Sequence, residues 1–239
     1  MPPDSRPFPR FIADNSQEGT PYGRFAERLA EQFLAACMAV DEPPAGLQEP
    51  GSVEWFPERA WGGRVWVPAS ARAATDEGEI EFFGHVSYVQ PSDGDPHDFS
   101  AAADYTSVLA EDNPDWRIDL NDEVIGRWVG EAGFGGDITL IWGRPLVPGA
   151  VAVTAELEGE VVDQEALSGN LFSLIACDAM DGYGDPVYVE IKLWNRRREQ
   201  LASETLYEPD APAEPDAADA ADGDDAGDRD GPPATDARA

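Results

Sequence analysis

The chain has 239 residues, with 48 Asp and Glu against 16 Lys and Arg, and a formal net charge of −32 at pH 7. A field of that sign repels phosphate backbones and anionic headgroups, so direct nucleic-acid binding and membrane binding are disfavoured and basic or metal-bearing partners are favoured. Segment 208–239 holds 11 of the acids against Arg229 and Arg238, so −23 of the charge stays on residues 1–207.

A second account competes with a partner-based reading of the acidity. High internal salt or a genome-wide bias produces acidic proteins without any ligand, and 15 of the 16 basic residues are Arg, with Lys192 the only lysine, as a guanine- and cytosine-rich genome would give.

Residues 1–19 carry four prolines and read as an extended N-terminal arm. They lack the apolar run of a secretory signal, and no uncharged apolar stretch reaches the length of a spanning helix, so a cytoplasmic protein is expected. Thr20 offers a cap and Pro21 a first-turn residue for a helix over 21–41. Its apolar stripe is Phe25, Leu29, Phe33, Cys37 and Val40, and Arg24, Glu27, Arg28 and Glu31 form the wet side. Cys37 and Cys177, the only cysteines, both sit in apolar surroundings that suit buried free thiols.

DEPPAGLQEPG ends the helix, and an aromatic segment follows in which Gly62 and Gly63 suggest a hairpin turn. Trp55, Trp61 and Trp66 in this segment are candidates for a stacking surface, although core packing is the commoner use of such residues. EIEFFGHVSYVQ, residues 79–90, predicts a strand covered on both faces. PSDGDPHDFSAAAD predicts a loop, followed by a short strand at 105–109 or a helical turn at 101–110. Asp119 as cap, with Asp122 and Glu123 in the first turn and Val124, Ile125, Trp128 and Val129 on one face, predicts a second helix over 119–129. Glycines 130–136 would close it.

Strands are expected at 137–142 and 151–162. A further pair at 171–177 and 186–194 would be joined by DAMDGYGD. The fold class expected is α+β, a mainly antiparallel sheet with two or three helices in one domain, 20–207. Residues 208–239, rich in Ala, Asp and Pro and without an aromatic residue, are expected to form a disordered acidic tail.

No defining catalytic spacing is present. GEAGFGGD lacks the lysine and the strand-to-helix order of a phosphate loop, and no GxSxG accompanies His85 or His97. DWRIDLNDE sets carboxylates beside Trp116, the composition of a carboxylate hydrolase, though helix capping explains the same acids. Asp178, Asp181 and Asp185 have the composition of a calcium loop without its spacing. Arg196, Arg197 and Arg198 form the one basic run and suit an anionic ligand, with pairing to the acidic body or tail as the competing use. No cofactor is expected. The functional expectation is a soluble interaction module, an adaptor or inhibitor of a basic partner. The alternative is a small carboxylate-dependent hydrolase with or without a divalent cation.

Overall fold

The computed structural model describes residues 19–130, 134–181 and 186–206, all of which fall in one compact unit. The arm before residue 19, Asp185 and the tail 208–239 lie outside these. The described part is mainly antiparallel sheet, with one α-helix.

The helix, α1, spans Gly23–Cys37 and buries Leu29, Phe33 and Cys37, the expected stripe at four-residue spacing. Its start differs from expectation. Tyr22, not Thr20, is the N-cap, and no side chain caps the helix, so packing rather than capping holds it in place. Arg28, on the wet side as expected, lies 4.1 Å over the Phe99 ring.

That helix covers one face of a five-stranded first sheet. Its strands are β1 (Glu54–Trp55), β2 (Arg59–Trp61), β3 (Arg64–Ala74), β4 (Glu79–Val89) and β5 (His97–Thr106). Gly62 and Gly63 turn β2 into β3 with φ of 62° and 77°, a conformation glycine adopts without steric cost. Strands β3 and β4 alternate cleanly. Val67, Ala69, Ala71 and Ala73 meet Ile80, Phe82, Val86 and Tyr88 beneath α1. The opposite face carries Trp66, Ser70, Glu81 and His85, all buried, because a second sheet covers it.

The second sheet has the order β10-β7-β6, from β6 (Ile118–Val129), β7 (Gly135–Pro145) and β10 (Phe172–Asp181). The third has the order β12-β11-β8-β9, from β8 (Ala150–Leu157), β9 (Glu160–Ala166), β11 (Glu190–Asn195) and β12 (Gln200–Thr205). A continuous core fills the space around these sheets, from Phe56 and Trp66 through Leu140, Trp142 and Ile175 to Val153, Ile191 and Leu193.

Four expectations are corrected. Residues 119–129 form strand β6, not a second helix, because every residue but Ile125 gains a ladder partner on β7, from Asp119↔Arg144 to Val129↔Gly135. A register shift between Val124 and Gly126 breaks the alternation and leaves the apolar run resembling a helix face. The expected loop of residues 91–104 enters β5 at His97. The expected single strand at 151–162 is a hairpin folded at Glu158 and Gly159, with φ of 48° and 82°. Strands β10 and β11, expected to pair, share only the bridge Met180↔Val187; β10 pairs with β7 instead.

Candidate functional site

The β3–β4 turn is built by Thr75, whose backbone N–H and hydroxyl both donate to the Gly78 carbonyl at 2.8 Å, while its Oγ1 accepts from Glu77 N. The segment after α1 is pinned beside this turn, since Asp76 N donates to Ala45 O at 3.0 Å and Tyr105 Oη to Glu42 O at 3.0 Å. On the far side stands a single 3-10 turn, Ala110–Asp112, held by Asn113 Nδ2 on Leu109 O at 2.8 Å. Between the three lies a groove of about 710 Å³, with Ile80 and Leu109 on its apolar side and Glu77, Glu79, Glu111 and Asp112 as its carboxylates.

Arg72 shows how these acids grip a guanidinium. Its two terminal nitrogens both engage the Glu111 carboxylate, one at 2.8 Å, and it reaches Glu79 at 3.4 Å and Glu81 at 3.7 Å. The hydrogen bonds from Arg72 hold Glu111 well below the usual carboxylate range, at about 2. Glu81 continues the network inward, accepting from Arg144 at 3.0 Å, and Arg144 also meets Glu54 at 3.1 Å and Asp119 at 2.8 Å. Burial nevertheless pushes Glu81 upward, with Arg144 opposing. Glu77 and Asp112 have no side-chain partner among the described residues, so they are the groove's unspent charge.

Further along the same gap, His85 Nδ1 lies 2.9 Å from Glu123 and its ring 5.0 Å from Trp66. The three expected tryptophans do not make one surface. Trp55 packs at 6.3 Å from Phe33 beneath the helix, whereas Trp66 lies on the opposite face of the first sheet and donates to Trp61 O at 3.1 Å. Trp61 covers Gly126, where a Cβ would overlap its ring.

The acids of DWRIDLNDE are divided by strand alternation: Asp119 and Glu123 face the first sheet, and Asp122 faces the other way. Asp122 shares a cavity of about 190 Å³ with Trp116, Glu204 and Leu206. Burial first, then the nearby Asp178 and Glu123, push its carboxyl up to about 6. Asp95 and Asp98 do not bond His97; Asp98 pairs with Arg64 at 2.6 Å.

Of the calcium candidates, Asp178 is buried, accepts from Val189 N at 2.8 Å through Oδ1, and has no partner for Oδ2 among the described residues. Asp181 pairs with Arg127 at 3.0 Å, and no group of three His, Cys, Asp or Glu among the described residues is placed to hold a metal. Arg196 and Arg197 line a separate cavity of about 420 Å³ with Asn195, Glu199, Gly149 and Val151.

Family models, curated proteins and solved structures return no match. The acidic groove was hard to find in sequence because its walls come from positions 44–45, 75–80 and 105–112, which only the β3–β4 turn and the β5–β6 connection bring together. The one available signal was the spacing of Glu77, Glu79, Glu111 and Asp112 around short polar turns.

Proposed function

We propose that this protein binds a basic segment of a partner protein, and that the groove between the β3–β4 turn and the 3-10 turn receives a lysine or arginine side chain from it. The supporting observation is the groove itself, in which Glu77 and Asp112 are unspent beside the apolar surfaces of Pro44, Ala45 and the Tyr105 ring. Those surfaces suit the methylene stem of a long cation, and the carboxylates suit its head. The gripping of Arg72 by Glu111 supplies an internal example of the same chemistry. The acidic body adds steering, raising the encounter rate with a cationic partner at low salt.

No helix among the described residues is long and apolar enough to cross a membrane. The setting we infer is cytoplasmic, where the two buried free thiols, both pushed up to about 12 by burial, stay reduced and inert.

The test is calorimetric titration of the full chain with a lysine- and arginine-rich peptide. Binding is expected to weaken with added salt and to fall about tenfold in Glu77→Gln/Asp112→Asn, from loss of roughly 1.4 kcal/mol of charge-assisted contact. Binding that is unchanged in this variant, or absent at low salt, overturns the reading.

The hydrolase alternative keeps one specific support. Asp122, its carboxyl pushed up to about 6 by burial, stands beside Glu204 and Trp116 in a cavity, an arrangement able to pair a general acid at mildly acidic pH with a carboxylate base. Hydrolysis of aryl glycosides or esters by the unmodified chain, abolished in Asp122→Asn, would establish it; equal background in both chains removes it.

A further inference from the structure

Strands β11 and β12 are joined by Asn195-Arg196-Arg197-Arg198-Glu199, and Asn195 fixes the shape of this turn. Its Oδ1 accepts from Arg197 N at 2.8 Å and from Glu199 N at 3.1 Å, and its backbone exchanges bonds with Glu199 and Arg198 at 3.1 and 3.0 Å. Arg198 takes a φ of 63° to complete the bend, a conformation unfavourable for a long side chain. Three adjacent cations on a tight turn repel one another, so the arrangement costs stability unless an anion is present.

The surroundings sharpen the contrast. Arg59, Arg64, Arg72, Arg127, Arg144 and Lys192 all hold carboxylates. Arg28 covers an aromatic ring and Arg117 donates to the Leu201 carbonyl. Arg24 on the helix apart, Arg196–Arg198 are the cations among the described residues that hold no such partner, in a chain with three acids to every base. Glu199, the next residue along the turn, also lines this cavity, but its Oε2 accepts from Asn195 Nδ2 at 2.7 Å and it forms no ion pair with the three arginines.

Arg196 and Arg197, with Asn195 and Glu199, line the cavity of about 420 Å³ against Gly149 of the neighbouring β7–β8 turn and Val151 of β8. Gly149 has a φ of 88°, and nothing lies within 4 Å of where its Cβ would be, so the mouth of the cavity is open. The size suits a small molecule, and the arginine forks suit an oxyanion. The −23 carried by residues 1–207 argues against a polyanion, whose many charges would meet the whole repulsive field. A compact anion meets the arginines at contact distance, while repulsion from acids more than about 8–10 Å away is screened at physiological salt.

We propose that this cavity is an oxyanion site that takes a phosphate or carboxylate group carried on a small molecule, independently of the acidic groove. The probes are inorganic phosphate and citrate, added to the full chain at constant ionic strength with chloride as reference, and the readout is melting temperature. A rise with phosphate alone identifies a phosphorylated ligand, a rise with citrate alone a carboxylated one, and a rise with both the shared oxyanion chemistry. Each is expected to require at least tenfold more anion in Arg196→Gln/Arg197→Gln and to be unchanged in Arg24→Gln. No rise over chloride, or the same rise in the arginine variant, overturns the proposal, as does tighter binding of duplex DNA than of phosphate. Should the variant fold poorly, amide shifts at 195–199 of the unmodified chain on phosphate addition decide the matter, since unmoved signals overturn it equally.

Discussion

Arg59 is 3% exposed and holds three strands together through one side chain: from β2 it meets Asp163 at 2.6 Å and Glu165 on β9, and the same Asp163 oxygen accepts from Ile175 N of β10 at 2.9 Å. Burial pushes Asp163 upward, chiefly opposed by Arg59, so the pair is held by mutual compensation rather than by large net gain. Asp163→Ala strands the guanidinium, and a loss of about 3–5 kcal/mol is expected in denaturant unfolding. A loss under about 1 kcal/mol would mean that Glu165 alone satisfies Arg59.

Asp122 gives a pH prediction of definite sign. Its carboxyl lies at about 6 against an ordinary 3.8, so between these values the folded chain keeps a proton that the unfolded chain has released. Its contribution to stability therefore falls as pH rises from about 4 to 6 and stays low above. Asp178, Glu123 and Glu204 are the charges around it. Asp122→Asn is expected to stabilise the protein at pH 7 by about 1–3 kcal/mol, with the difference closing by pH 4. Melting curves across that range check it; a variant less stable at pH 7 contradicts it.

At the level of elements, the difference between helix and strand at 119–129 turns on a single register shift. Before it, Ile118, Leu120 and Asp122 alternate with Asp119, Asn121 and Glu123 as a strand should; after it, the apolar residues change phase. Sequence periodicity averages over that break and reads a helical face. Helix α1, β4 and the Gly62–Gly63 hairpin were legible because each keeps one period along its whole length. The groove was not, since its walls belong to three separate connections.

The β6–β7 ladder also depends on close backbone approach at Gly143, where a Cβ would overlap the Asp119 carbonyl oxygen. Gly143→Ala is expected to cost about 1–3 kcal/mol or more by forcing the strands apart, read as a lowered denaturant midpoint. An unchanged midpoint would contradict this pairing.

For the whole molecule, the charge has two consequences with opposite dependence on salt. Self-repulsion among acids destabilises the compact state, so added chloride should raise the melting temperature. The same salt should weaken binding of a basic partner. Adaptation to salt alone predicts the first effect without the second, and the acidic groove predicts both.

The central claim is that a basic segment occupies this groove. Hydrogen–deuterium exchange of the full chain, with and without a saturating lysine- and arginine-rich peptide, tests it by location. Slowed exchange at residues 75–79 and 107–112 is the predicted result; unchanged exchange there, with protection elsewhere or none, would contradict it.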